Sequence, residues 1–290
     1  MMSDITLIDP KVELFSEENV TTAQHIARCA RVCYGGEDKP HTEEQDRNLV
    51  NGLISKGHLS MLRHSSEYIA LHGIMPDDMR VLSAIPYNTV VPYKETILST
   101  NIQEYLYGKT CKILGNYSNC MHIRQKDMID IISKNTPEYL LAYRLTFCIT
   151  TQIATSRELN RKSPNNIAER STRYCSSKDG LSICKPWWWN DRDTTEDMRN
   201  DYIVAMSNAS QAYKRMLDKG FKPEDARGVL PLDTATKVVY TYTIGEWKDI
   251  LDLRLYGKTG KPHPNCKVVM AMVRYQINKF IKDHGINYTV

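Results

Sequence analysis

Between Arg157 and Tyr174 the chain gathers its densest group of side chains able to do chemistry: Arg157, Glu158, Arg161, Lys162, Ser163, Asn165, Asn166, Glu169, Arg170, Ser171, Arg173 and Tyr174. Arginines set among hydroxyls and loop amides suit a phosphate group, because a guanidinium presents paired N–H donors that match phosphate oxygens. Glu169, an acid amid these cations, can orient a neighbouring arginine or accept a donor from a base or a sugar. Charge alone would leave the stretch as a solvated helix face. It is the mixture of arginine, hydroxyl and amide that points to a bound anion.

Other reactive groups are more scattered. None of the eight cysteines makes the two-residue-spaced pair of a zinc knuckle or a thioredoxin-like site, so buried free thiols and no metal are expected. Trp187, Trp188 and Trp189 beside Lys185 could stack on single-stranded nucleic acid. Pro186 and Asp191 at their flanks favour a packed loop instead, and no nucleic-acid partner is expected. His58 and Ser60, taken alone, read as cap or turn residues.

These residues need elements to hold them. Strand character over Leu145–Thr151 is followed by a predicted helix over 152–162, which would set Arg157 and Arg161 four apart on one face. Upstream, helical spacing runs from Val20 to Cys33, and a second helix follows Thr42, whose spacing to Gln45 is that of a capping box. Gly57 suits that helix's exit, and an extended segment is expected over about 67–74. Downstream, Asp197–Leu217 reads as a long amphipathic helix with Met198, Tyr202, Ile203, Met206, Tyr213 and Leu217 inward and Gly220 at its end. Pro223 opens a short helix carrying Arg227. A β-rich run over Lys237–Ile244 leads into a helix over Gly245–Leu255, and a last helix spans about 265–284. The irregular interleaving predicts an α+β, or mixed α/β, fold: a central antiparallel or mixed sheet flanked by long helices. Residues 1–290 are read as one domain with an insertion at about 75–135, where prolines, tyrosines and asparagines follow no sustained period.

At 290 residues and 41% hydrophobic, the chain can bury a sizeable core, and its net charge of +4 leans towards anionic ligands without demanding a nucleic acid. Its first thirty residues lack the pattern of a secretion signal, and no run approaches the roughly 20 apolar residues of a membrane span, so a cytoplasmic protein without membrane contact is expected.

One resemblance covers most of the chain. Arg161-Lys162-Ser163, then seven residues, then Ser171-Thr172-Arg173-Tyr174 resembles the signature of the flavin-dependent thymidylate synthases, in which Arg-His-Arg is followed at that interval by Ser-Thr-Arg-Tyr. Further matches in the same order are Ala30-Arg31-Val32-Cys33-Tyr34, Gly57-His58-Leu59-Ser60, Ala226-Arg227-Gly228-Val229-Leu230-Pro231, and Glu246-Trp247 with Leu253-Arg254.

The resemblance implies reductive methylation of dUMP to dTMP, with FAD as cofactor and NADPH and 5,10-methylenetetrahydrofolate as co-substrates. The nucleotide and flavin would lie at subunit junctions of a homotetramer. A pyrimidine deoxynucleoside monophosphate would meet Glu158, Arg161, Ser171, Arg173, Arg227 and Arg254. Ser171 and Arg254 would be the catalytic pair, with Arg254 at the pyrimidine carbonyl edge, where fixed positive charge stabilises the charge that builds as C5 becomes nucleophilic. The cofactor side would take His58, Ser60, Arg161, Lys162, Glu169 and Thr243. Departures concentrate on that side: Lys162 stands for the signature's His, Ser163 for its second Arg, and Thr243 and Gly245 for an Asn and an Arg before Glu-Trp. Two lost guanidiniums remove charge-assisted hydrogen bonds worth about 1.5–3 kcal/mol each, which implies weaker or differently oriented FAD. The alternatives are a related methyl- or hydroxymethyltransferase acting on dCMP or dUMP, and a non-catalytic nucleotide-binding paralogue.

Overall fold

The computed structural model describes residues 5–134, 137–162, 164, 166–173 and 180–290; Ser163, Asn165, Tyr174 and Cys175 lie outside them. In chain order, β1 (Ile5–Ile8) and β2 (Lys11–Leu14) precede α1 (Thr22–Val32) and α2 (Glu43–Ser55). Both helices begin with a reciprocal capping box, Thr21 with Gln24 and Thr42 with Gln45, which satisfies donors that a first turn leaves unpaired. Gly57 takes a left-handed φ of +72° just past α2, and a short 3₁₀ turn over Leu59–His64 leads into β3 (Ser66–Ala70).

The stretch without a clear period folds into α3 (Pro76–Ala84), β4 (Thr89–Pro92), β5 (Thr96–Asn101), α4 (Ile102–Tyr107), α5 (Lys109–Leu114), β6 (Met121–Ile123) and α6 (Gln125–Lys134). Its strands join β3 in an antiparallel sheet of order β4-β5-β3-β6. After it come β7 (Arg144–Gln152), α7 (Ile153–Leu159), β8 (Ile167–Glu169), β9 (Leu181–Cys184), α8 (Glu196–Asp218), α9 (Pro223–Ala226), β10 (Ala235–Thr243), α10 (Ile244–Arg254) and α11 (Pro264–Asp283).

The central sheet, of order β2-β7-β10-β8, is antiparallel throughout, and β9 pairs in parallel with β1. The fold is therefore the α+β class expected. Period-2 alternation gives β7 and β10 two distinct faces. Leu145, Phe147, Ile149, Val238, Tyr240 and Tyr242 join Trp247 of α10 and Val269, Met270, Val273 and Ile277 of α11 in the main core. The Trp247 indole N–H donates to the carbonyl of Leu145 at 3.1 Å, so this buried ring loses no hydrogen bond. On the opposite face, Cys148 and Val239 pack against Cys29 and Val32 of α1, and beyond them lies a polar patch. There the buried Thr146 and Thr241 hydroxyls lie 2.8 Å apart and His64 Nδ1 is 2.9 Å from Thr241 Oγ1.

Three local expectations are corrected. Helix α7 stops at Leu159 rather than continuing to 162, so Arg161 lies in a turn and shares no helical face with Arg157. Asn160 is held from two sides there, donating to Glu169 Oε2 and accepting from Tyr240, which diverts the backbone. Met198 is 58% exposed although its spacing places it with inward residues: it lies in the first turn of α8, ahead of the stretch that packs on β1 and β9. The extended segment ends at Ala70 rather than at about 74, and Gly73 turns the chain with a φ of +68°. Among the described residues, no helix is long and apolar enough to cross a membrane.

Two outcomes follow from this packing. Thr243 Oγ1 accepts from Glu246 N at 3.1 Å while Glu246 Oε2 accepts from Thr243 N at 2.8 Å, so Thr243→Ala should lower stability by about 1 kcal/mol in urea denaturation. An unchanged midpoint would mean that the Glu246 half of the cap suffices alone. Burial pulls the His64 imidazole from 6.5 down to about 3, with His25, Arg144 and Arg63 adding to the fall. The unfolded chain then binds a proton near 6.5 that the native state refuses until about 3, so stability drops as pH falls through that window. The slope reaches at most about 1.4 kcal/mol per pH unit. Urea midpoints followed from about pH 7 to about pH 5 should fall more steeply for the wild type than for His64→Gln, and equal slopes would contradict this origin.

Candidate functional site

The antiparallel register of β7 and β10 pairs Gln152 with Ala235 and Thr151 with Thr236, so the start of α7 lies against the start of β10. Val238 of β10 pairs with Glu169 on the other side. Ile153 N and Ala154 N then donate to the carbonyls of Thr234 and Leu232, at 3.1 Å each, stitching the segment before β10 onto the helix start. Around this junction opens a cavity of about 640 Å³. Its walls are Ile153, Ser156 and Arg157 of α7, the run from Glu169 to Arg173, Arg227 and Gly228, the run from Leu230 to Leu232, and Thr236.

Glu169 is the anchor of this wall. Its Oε1 accepts from Ser156 Oγ at 2.7 Å and Thr236 Oγ1 at 3.1 Å, and its Oε2 accepts from Asn160 Nδ2 at 3.2 Å. Three donors, two from α7 and the residue that ends it and one from β10, hold the carboxylate in place, as a partly buried charge requires. Tyr240 donates to Asn160 Oδ1 at 2.6 Å. Burial, with the Glu169 charge adding to it, pushes that phenol well above its ordinary value and keeps it a donor.

The next four residues form a cationic, hydroxyl-bearing edge. Arg170 N donates to Lys237 O at 2.8 Å and Ser171 N to Cys33 O at 2.9 Å, so β10 and the end of α1 both grip the loop backbone. Ser171 Oγ accepts from Arg173 N at 3.2 Å and keeps its own proton to donate. Arg173 gives Nε and Nη2 to Glu224 Oε2 at 3.2 and 3.0 Å, and Arg227 Nη1 reaches Thr172 Oγ1 at 3.4 Å. Four arginines, Arg157, Arg170, Arg173 and Arg227, thus face a cavity whose wall, among the described residues, carries one acid, Glu169. A small anion with several oxygens would find converging charged donors and hydroxyls there.

The residues singled out in the sequence divide into three groups. Glu169, Ser171, Arg173 and Arg227 come together in the cavity. Glu158 and Arg254 lie elsewhere, at the junction of α7, α10 and α11, where both act on one thiol: burial pushes Cys266 up to about 12, Glu158 adds to the rise and Arg254 opposes it. His58, Ser60 and Arg161 are exposed, Lys162 Nζ sits 3.3 Å from Asp249 Oδ2, and the buried Thr243 caps α10. Arg157, Arg170 and Thr172 also line the cavity; the sequence placed the two arginines in the charged stretch and Thr172 in the signature without assigning any of them a ligand. Glu37, Glu224 and Lys237 touch its arginines or its backbone and carry no sequence signal beyond being charged.

The cofactor-side residues do not gather in the cavity of one chain. Of those six, only Glu169 lines the cavity, and its oxygens already serve three donors. The Thr243 hydroxyl is committed to Glu246. A Cβ on Gly245 would stand 3.1 Å from the Leu141 carbonyl, so the arginine found there in the resembled family could enter only if that backbone gave way.

Comparison with known proteins agrees with the signature. A flavin-dependent thymidylate synthase of Geobacter sulfurreducens is 31% identical over 102 residues, 35% of this chain. The chain spans only 43% of that relative's length. Crystal structures of a UMP/dUMP methylase from Streptomyces cacaoi, bound with 5-Br dUMP or 5-Br UMP, overlay with TM-scores of 0.45 and 0.46 at 16% identity. They cover 94% and 95% of this chain and 92% of each methylase chain, an overlap too loose to fix the fold or the site. The family described as "Thymidylate synthase complementing protein" matches residues 119–279, more than half of the chain and the whole of the cavity wall. The chain belongs to that family, the flavin-dependent thymidylate synthases.

Proposed function

We propose that this chain methylates dUMP to dTMP, and that the cavity beside α7 receives the nucleotide's phosphate. The observation that carries the reading is the convergence of Arg157, Arg173, Arg227 and the Ser171 and Thr172 hydroxyls on one open cavity. Arg157 and Arg227 supply charge. Ser171 O–H and Thr172 O–H each retain a proton that a phosphate oxygen can accept. Arg173, held on Glu224, brings a guanidinium whose position is set before the ligand arrives.

The reaction needs 5,10-methylenetetrahydrofolate for the carbon and NADPH for the hydride, with FAD between them. Because the cofactor-side residues of one chain lie apart, with His58, Ser60 and Arg161 exposed, the reading places the flavin across a boundary between copies, in a homotetramer. Arg254, also outside the cavity, would then meet the pyrimidine from a neighbouring copy and offset charge building at its carbonyl edge.

The direct test is dTMP formation by the purified protein given dUMP, FAD, NADPH and 5,10-methylenetetrahydrofolate, together with calorimetric titration of dUMP. Binding without product would remove the methylation reading. Arg227 is exposed and makes no ion pair among the described residues, so Arg227→Ala should leave the melting temperature unchanged while weakening dUMP roughly 10- to 100-fold, the range for a lost charged hydrogen bond. Unaltered dUMP affinity in that variant would move the phosphate elsewhere.

A further inference from the structure

The loop that faces the cavity is held from behind by a carboxylate that does not itself line the cavity. Glu37 follows the turn at the end of α1, and its side chain is only 3% exposed. Its Oε1 accepts from Arg170 Nη2 at 2.5 Å and from Lys237 Nζ at 2.7 Å. Arg170 is the first residue after β8 and Lys237 belongs to β10, so one buried oxygen ties the loop's root to the central sheet. The same two residues are also joined through the backbone, Arg170 N to Lys237 O at 2.8 Å.

The turn carrying Glu37 adds two more contacts. Cys33 O accepts from Ser171 N at 2.9 Å. Gly35 takes a φ of +69°, and the Arg170 guanidinium lies over it, 3.7–3.8 Å from where a Cβ would stand. The turn after α1 thus grips Arg170 by its side chain and Ser171 by its backbone. A buried carboxylate between two cations costs a great deal to break, because removing one partner strands the other charges. Such a clamp resists movement of the loop.

We infer that Glu37 is a positioning residue for the phosphate-binding loop, acting through Arg170 to present Ser171, Thr172 and Arg173 to the ligand. The inference rests on the phosphate reading of the cavity. It has an unusual sign. Glu37 is an acid close to an anion site, so by Coulomb repulsion alone its neutralisation should tighten dUMP; as a positioning residue, its neutralisation should weaken dUMP.

The experiment compares wild type with Glu37→Gln by calorimetric titration of dUMP and by amide hydrogen exchange in the absence of ligand. The expected result is a Kd for dUMP raised roughly tenfold or more, with faster exchange confined to 166–173. Unchanged or tighter dUMP binding overturns the inference, and so does weaker binding with unchanged exchange in that segment or with exchange raised over the whole chain. Should Glu37→Gln fail to fold, Glu37→Asp keeps the charge but shortens its reach, and the same selective loosening and loss of affinity is expected of it. If wild type binds no dUMP while 166–173 still loosens in the variant, the nucleotide reading fails and the hold of Glu37 on the loop stands.

Discussion

The pairing of β7 with β10 is the constraint from which the remaining geometry follows. Nine residues of each strand are in register, from Gln152 opposite Ala235 to Arg144 opposite Thr243. One end of this ladder releases α7 and receives the segment from Arg227, which makes the cavity. The other end releases α10, whose Trp247 fills the core under the same sheet. Because side chains alternate with a period of two, a slip of β10 by one residue would turn Val238 and Tyr240 out of the core and carry Thr236 away from Glu169. The hydrophobic face therefore sets the alignment of the polar site.

Charge is arranged in layers around the cavity. Four guanidiniums face it, and two of them are tethered to acids outside the lining, Arg170 to Glu37 and Arg173 to Glu224. Tethering reduces the repulsion among like charges and costs less freedom when a ligand binds, since the side chains are already ordered. Arg157 and Arg227 make no ion pair among the described residues and so keep their charge for an anion. Glu169 serves a different purpose: with its oxygens occupied by Ser156, Thr236 and Asn160, it fastens α7, β8 and β10 together.

Much of the fold was legible wherever a local rule acts alone. Thr42 with Gln45, Gly57, Gly220, the strand character of β7 and the β-rich run of β10 each specify an element or its boundary without help from distant residues. The site was legible where residues share one loop, as Ser171 and Arg173 do, and where a short motif carried Arg227 to it. What escaped depends on tertiary approach. The end of α7 is decided by Asn160 reaching Glu169 and Tyr240, and the importance of Glu37 by a turn 133 residues away from Arg170. Tyr240 stands 80 residues from Asn160 and Arg170 stands 133 from Glu37, beyond any local pattern. The middle stretch resisted for another reason: its strands are short, and β3 supplies the register that β5 and β6 need.

The long ladder between β7 and β10 also governs how the molecule is made. Its strands are separated in sequence by α7, β8, β9, α8 and α9, so the chain must close a large loop before the first rung forms. Non-local pairing of this kind slows folding. The cavity has no existence until that closure is complete, because its walls come from both sides of it. A ligand held there binds the finished sheet and not its precursors, and in a cell its concentration would set how much of the newly made chain persists as folded protein.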